Sequence, residues 1–346
     1  MKKIKFIRAN KTKFGGAEVY LTRLSEELNR LNISHELVHS TIPKFLPSWL
    51  RVLLFNFKVC TKKKDNFYFS LERISCPDIY RAGDGVHKVF LEIEKKSIFN
   101  PLHIVYLYLE KRCFYKAEKI IAISNMVKND IIKSYNIIPS KIEVVYNGFK
   151  LDNSDYEKSY NKLQNEFSLD KQKNKKIFLY VGSGYKRKGV KEFLEILSKL
   201  KNTNFFAFII GKEKKMNYYK NFAKELGIDD KIIFTGPRTD VKDFYSISDI
   251  FLFPTKYEPF GNVIIEAMNY ENVVITTKYC GGGEIINQDF IMQTPTDYSI
   301  VNKIDELLEN PEKISKIKAQ NLEIVKNFSI EKNVEQTLKV INEVIN

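Results

Sequence analysis

Short apolar runs alternate with amphipathic stretches along most of the chain. Residues 3 to 9 read as a strand and a loop follows to Gly15-Gly16. Ala17, Leu21, Leu24, Leu28 and Leu31 then recur at helical spacing. The same order returns at Lys119-Ile-Ile-Ala-Ile-Ser124, ahead of a helix over about 125–135, and at Ile142-Glu-Val-Val-Tyr146, which ends in the turn pair Asn147-Gly148. The polar stretch 150–175 breaks the pattern. It restarts with Lys176-Ile-Phe-Leu-Tyr-Val181, a glycine-bearing loop and a helix to about Leu200. Strands at 205–210, 232–235, 250–253 and 273–276 then alternate with helices near 217–226, 240–247 and 262–270. The final stretch, 330–345, is helical, with Val334, Leu338, Ile341 and Val344 on one face.

Alternation of this kind predicts an α/β chain whose parallel sheets are covered on both faces, here built twice. Residues 1–165 are assigned to a first Rossmann-like domain and 166–328 to a second, with 329–346 as a helix returning to the first. Ligands of such sheets bind outside the carboxyl ends of the strands, so the loops at 10–16, 182–189, 236–240 and 254–262 are expected to converge on one cleft.

The densest chemistry lies in Pro254-Thr-Lys-Tyr-Glu258-Pro-Phe-Gly-Asn-Val-Ile-Ile-Glu266-Ala-Met268. Glu258 ends a Pro/Gly-rich loop, and Glu266 falls in a segment apolar on nearly all sides. A carboxylate there is costly unless something donates hydrogen bonds to it, and a ligand hydroxyl is one candidate donor. Gly261 and Asn262 open that helix, whose N–H groups and positive dipole end favour an anion. A polyhydroxylated, anionic ligand suits the pattern.

Composition adds boundaries. The chain has 346 residues, 44% of them apolar and 28% charged, and its formal charge is +14. The surplus is uneven, since residues 1–170 hold 29 Lys/Arg against 19 Asp/Glu. Nucleic acid, an anionic membrane and an anionic substrate would all answer such a charge. Recognition motifs for nucleic acid are missing, which argues against the first. Cys60, Cys76, Cys113 and Cys280 are far apart, suggesting neither a zinc site nor a disulfide framework and fitting a reducing cytoplasm. No run reaches the roughly 18 to 20 apolar residues of a membrane span, and the amino terminus does not read as a signal peptide.

Gly182-x-Gly184 after a strand resembles a dinucleotide fingerprint, but the third glycine is missing and Arg187-Lys188 stands near its place. Two cations on a strand-to-helix loop instead suit a diphosphate; a solvated basic turn is the plain alternative. No Asp-x-Asp pair is present to chelate a divalent metal beside a diphosphate, so protein cations would neutralise it.

Val181-Gly-Ser-Gly-Tyr-Lys-Arg-Lys-Gly189 together with Glu258-x7-Glu266 resembles the retaining GT-B glycosyltransferases of family 4. The first spacing and Tyr80-Arg-Ala-Gly-Asp84-Gly-Val-His87 are similar to those of the lipopolysaccharide core glucosyltransferases. The likeness covers the whole chain loosely and 180–285 best. It implies two facing Rossmann-like domains with a cleft between them and a last helix crossing back. It also implies that Arg187 and Lys188 bind the donor diphosphate, Glu266 the ribose and Glu258 the sugar. Phe260, Gly261 and Asn262 would supply backbone N–H groups. Gly15 and Gly16 would let the first loop approach the phosphates, although a tight turn before a helix explains them equally. Arg238 would line the base, or simply occupy a surface turn. Asp84 and His87, in a Gly-flanked loop, would act on acceptor and donor sugar, whereas His35, His39 and His103 have no comparable setting.

The function so implied is metal-independent transfer of a hexose, most simply glucose from UDP-glucose, to a lipopolysaccharide core or similar surface glycan. No cofactor beyond the nucleotide sugar is expected. A nucleotide-sugar epimerase on the same plan and a basic nucleic-acid-binding protein are the rival classes. Residues 41–64, with Phe45, Trp49, Phe55, Phe57 and Lys62-Lys63-Lys64, read either as an interfacial segment on the anionic inner membrane or as a core helix before a basic loop. The expected location is cytoplasmic, peripheral to that membrane in the first case.

Overall fold

The computed structural model describes residues 3–11, 16–153, 155–169 and 175–345, and Gly15 lies outside them. The chain divides into two units: residues up to Gly148 together with those from Ser329 onward, and Phe149–Phe328.

In the first unit β1 (Ile4–Ile7), β2 (His35–Val38), β3 (Phe67–Ser70), β4 (Ile79–Ala82), β5 (Lys119–Ala122) and β6 (Ile142–Val144) form one sheet in the order β2-β1-β3-β4-β5-β6. Every pairing is parallel. The connections carry helices α1 (Gly16–Arg30), α2 (Ser48–Thr61), α3 (His87–Glu94), α4 (Pro101–Lys116) and α5 (Asn125–Tyr135). Gly16 is the first residue of α1. The leucines at helical spacing do what their period predicts: Leu21, Leu24 and Leu28 pack on Phe6, Phe67 and Phe69. The C-terminal helix Ile330–Ile345 adds Val334, Val340 and Ile341 to the same core, where the Tyr20 hydroxyl stands 3.3 Å from Thr337 Oγ1.

The second unit begins with α6 (Tyr156–Phe167). It continues β7 (Lys176–Val181), α7 (Tyr185–Lys188), α8 (Val190–Ser198), β8 (Phe205–Ile210), α9 (Met216–Glu225), β9 (Ile232–Gly236), α10 (Val241–Ile247), β10 (Ile250–Phe253), α11 (Asn262–Asn269), β11 (Val273–Thr277), β12 (Ile291–Met292), α12 (Ile300–Glu309) and α13 (Pro311–Val325). Its sheet runs β12-β11-β10-β7-β8-β9. All residues of β8, β10 and β11 are buried, as expected of strands covered on both faces.

Three expectations change. The polar stretch 150–175 contains α6, which belongs with the second unit, so the boundary falls at 148 and not 165. Leu163 is buried there, Ser159 Oγ donates to Asp243 at 3.2 Å, and Lys162 pairs with Asp240 and Asp243. Asn269 donates to the Asp152 carbonyl at 2.7 Å, fastening the preceding segment to the same unit. The glycine-bearing loop expected at 182–189 holds the short helix α7, and the helix expected after it is α8, ending at Ser198. Lastly, Cys60 and Cys76 form a disulfide, Cα–Cα 5.7 Å apart. The end of α2 and the loop after β3 are neighbours in space, a proximity that spacing along the chain did not show. Cys113 and Cys280 are free and buried.

Candidate functional site

In the second sheet the chain moves outward from β7 through β8 to β9, then returns to the other side of β7 as β10. The reversal point lies between β7 and β10, and the loops leaving these two strands carry the predicted motifs. Gly189 fixes their approach. Its φ is +83°, and a Cβ there would stand 1.9 Å from the Pro254 carbonyl oxygen, so only glycine satisfies both conformation and space.

α7 places Arg187 and Lys188 side by side. The Arg187 carbonyl accepts from the Lys256 N–H at 2.9 Å, and its guanidinium donates to the Tyr257 carbonyl. Arg187 Nη1 reaches Glu258 Oε2 at 3.3 Å and Lys188 Nζ reaches the same oxygen at 3.0 Å. Lys188 also lies over the Phe253 ring. Glu258 is held at its backbone by a parallel bridge to Cys280: its N–H donates to Tyr279 and its carbonyl accepts from Gly281, both at 2.9 Å. The glycine-rich turn at 281–283 thus anchors the loop. Gly282 donates to the Phe260 carbonyl at 2.7 Å, with no room for a Cβ against that oxygen.

Gly261, φ +84°, caps α11 and supplies no side-chain acceptor to its first turn, which begins at Asn262. Phe260 is buried beneath it. The Cys280 thiol donates to the Phe260 carbonyl at 3.2 Å, and burial followed by the Glu258 charge pushes its pKa up to about 12. It is a neutral wall. One turn into α11, Glu266 is half-buried and accepts from the Tyr245 hydroxyl at 3.2 Å. An internal donor therefore satisfies part of the need the sequence identified. Burial first, and then Glu266, holds the Tyr245 phenol protonated well above its ordinary range.

Among the described residues Arg238 makes its hydrogen bonds elsewhere. Its guanidinium makes paired bonds to Asp240 (2.9 Å each) and to Glu166 (2.6 and 2.9 Å), and lies over Phe167 and Phe244. It clamps α6 onto the loop after β9. The Arg238 hydrogen bonds hold Asp240 far below the usual carboxylate range.

In the first unit, Asp84 follows β4 and its carboxylate is about half exposed, 3.9 Å from Arg73 Nη1. His87 opens α3 but is buried, and its Nε2 stands 3.1 Å from His103 Nδ1. His103 therefore does have a setting comparable to His87, because α4 brings it alongside. Burial, and then the Arg73 charge, lower the His87 pKa to about 4. Two residues not singled out from the sequence, Glu110 and Arg73, organise this cluster. Glu110, fully buried on α4, accepts from the N–H groups of His87 (2.7 Å) and Lys88 (3.2 Å), from Arg73 Nε (2.9 Å) and from the Tyr135 hydroxyl (2.7 Å). It caps α3 from a neighbouring helix and neutralises Arg73. Its signal was a lone carboxylate in the aromatic-rich stretch 102–115, the same kind that marked Glu266.

Among the described residues no group of three or more His, Cys, Asp or Glu side chains is placed to hold a metal ion. None of the helices described is long and apolar enough to cross a membrane.

Two parallel six-stranded sheets with flanking helices, and a loop cluster of this composition, define the GT-B class. Known proteins agree. The profile described as glycosyl transferases group 1 matches residues 161–324, and that of glycosyltransferase family 4 matches 85–153. The chain belongs to this glycosyltransferase family. It is 26% identical to the lipopolysaccharide glucosyltransferase WaaG of Escherichia coli K12 over 59% of this chain and 56% of that protein. It is 30% identical to the capsular polysaccharide glycosyltransferase CapM of Staphylococcus aureus, over 60% and 56% respectively. A UDP-Gal:alpha-D-GlcNAc-diphosphoundecaprenol alpha-1,3-galactosyltransferase of E. coli is 24% identical over 72% and 66%. The chain spans about half the length of the curated relatives it matches, between 46% and 56% for the first three. Among solved structures, WaaG superposes with a TM-score of 0.78 at 18% identity, covering 98% of this chain and 99% of the other. Anabaena HepE in complex with UDP-glucose superposes with 0.75 at 19%, covering 99% and 100%.

Proposed function

We propose that the chain is a retaining glycosyltransferase that moves a hexose, most simply glucose, from a UDP-sugar to a hydroxyl of a lipopolysaccharide core or similar surface glycan, without a divalent metal. The observation that carries this reading is the convergence of Arg187 and Lys188 on one oxygen of Glu258 beside the start of α11. Two cations sharing one carboxylate leave a net positive charge. A diphosphate can draw both donors to itself, since phosphate accepts from Arg and Lys in the geometry a carboxylate does. Glu258 is then released toward the donor sugar's hydroxyls, and Glu266 would bind the ribose.

Departure of the nucleoside diphosphate develops negative charge, which Arg187, Lys188 and the N–H groups of Gly261 and Asn262 would stabilise without reorganisation. For retention, the acceptor hydroxyl attacks from the face the leaving phosphate vacates, and that phosphate takes its proton. Asp84 is the candidate to orient the acceptor. The relatives support the donor and acceptor classes by name, since WaaG is a lipopolysaccharide glucosyltransferase and HepE is complexed with UDP-glucose.

Calorimetric titration with UDP in EDTA tests the donor half. UDP should bind the wild type and lose at least about tenfold in affinity in Arg187→Ala, the size of one charge-assisted hydrogen bond. Equal UDP affinity in the two proteins, or binding only after metal is added, would refute the site.

A further inference from the structure

The first sheet has a reversal point of its own, between β1 and β3, because β2 lies on the far side of β1. A cavity of about 390 Å³ opens there, inside the ~300–1,000 Å³ range of small-molecule pockets. The loops after β1, β2 and β3 line it together with one face of α2 and with Leu102 and Tyr106 of α4. Its cations are Lys11, Lys44, Arg51 and Arg73. Arg73 is neutralised by Glu110, as described above. Glu72, the acid among the lining residues, is matched by Arg8 at 3.1 Å and accepts the Ala9 N–H at 2.9 Å.

Lys11, Lys44 and Arg51 differ, since none has an acidic partner among the described residues. Among the described residues Arg51 Nη2 reaches only Ser48 Oγ, at 3.3 Å, and its buried Nε has no hydrogen-bond partner. A buried donor left unmade costs free energy unless a ligand accepts from it. Ser48 and Arg51 also sit on the first turn of α2, whose N-cap, Pro47, has no side-chain acceptor. Three uncompensated cations and an uncapped helix start converge on one small cavity.

We propose that this cavity binds a phosphate or diphosphate group carried by the acceptor, a second anion site separate from the one formed by Arg187 and Lys188. This rests on the transferase reading, and it narrows the acceptor to a phosphorylated compound. Apolar wall residues Val52, Phe55 and Leu102 would meet whatever the phosphate is attached to.

The test titrates the full chain with inorganic pyrophosphate, farnesyl diphosphate and UDP by calorimetry. R187Q/K188Q serves as the reference for the first two, so that the donor site does not compete. Adding K44Q/R51Q to that reference should weaken diphosphate binding about a hundredfold, roughly tenfold for each charged donor removed. K44E alone, at an exposed position, should weaken it about tenfold or more without touching the core. In the otherwise wild-type chain, K44Q/R51Q should leave UDP affinity within about twofold. Farnesyl diphosphate binding tighter than pyrophosphate supports a lipid-borne phosphate, and equal affinity supports a soluble phosphoester. Diphosphate binding that is absent from the reference, or indifferent to K44Q/R51Q and K44E, overturns the site. So does UDP affinity that falls with K44Q/R51Q, because the cavity would then hold the donor. Failure of UDP to bind the wild type while the diphosphates behave as expected would reject the donor assignment and leave this site standing.

Discussion

Glu258 has two cations on a single oxygen, and its neutralisation should affect chemistry more than folding. In Glu258→Gln the amide keeps the size but loses the charge that orders Arg187 and Lys188. Turnover of a UDP-sugar should fall by about a hundredfold or more, as when one preorganised polar group of a transition-state site is removed. The melting temperature should stay within a few degrees, because Glu258 is anchored through its backbone. Steady-state rates with a thermal melt check this, and unchanged kcat would remove Glu258 from the mechanism. His87 makes a different kind of prediction. Its pKa falls from 6.5 in the unfolded chain to about 4 in the fold, so folding favours the neutral ring. Above pH 6.5 both states are neutral and the stability is intact. Between pH 6.5 and about 4 only the unfolded state takes up the proton, and about 2–3 kcal/mol should be lost. Arg73, Glu110 and His103 act on the ring, and after burial Arg73 adds most to the cost of protonation. Urea midpoints at pH 7 and pH 4.5 should differ less in His87→Gln than in the wild type, and equal differences would place the titration elsewhere.

At the scale of elements, Gly189 decides how closely the two motif loops approach. Gly189→Ala forces a Cβ onto the Pro254 carbonyl at a left-handed φ. It should cost about 3 kcal/mol or more and separate Arg187 from Glu258, to be read as a lowered urea midpoint with weakened UDP binding. A midpoint within error of the wild type would contradict the packing. Elements with a strong period were legible from sequence: the helix at 330–345, the strands at 205–210 and 250–253, and α11 with its flanking acids. What escaped had a weak local signal. α6 is a largely polar helix in a stretch rich in Asn, Lys and Glu, and it is held to α10 by the Phe167–Phe244 ring contact and by Ser159 and Lys162 on Asp243, some eighty positions away. The Cys60–Cys76 bridge, the His87–His103 pair and the Glu110 cap were illegible for the same reason. Each joins elements that follow one another along the chain but whose packing angle the local pattern does not give. The expected convergence of the loops at 182–189 and 254–262 follows from the reversal of strand order, which sets Arg187 and Lys188 against Glu258.

At the scale of the molecule, the uneven charge meets an uneven surface. On α2, Phe55 and Val59 pack inward with Ile7, Tyr68 and Ile74, while Phe57 is 67% exposed and Phe45, just before the helix, 85% exposed. The helix is thus core on one side, as the core-helix reading has it, and open on the other. α4 packs beside it and repeats the division, with Val105, Leu109 and Phe114 buried and Ile104 and Tyr108 outside. Lys62, Lys64, Lys111, Arg112 and Lys116 stand exposed on and beside these helices. Exposed aromatics with a basic surround are the pattern of a surface that inserts shallowly into an anionic bilayer, each cation adding about 1 kcal/mol near it. We therefore propose peripheral membrane attachment through α2 and α4. The full chain should cosediment with phosphatidylcholine vesicles containing phosphatidylglycerol and leave them as salt is raised. Phe45→Ala combined with Phe57→Ala should weaken the attachment about tenfold at low salt without lowering the melting temperature, since neither ring is in the core. Equal affinity for purely neutral vesicles would show that the basic surround does no work. Undiminished binding by the double variant would show that the aromatics never enter the lipid.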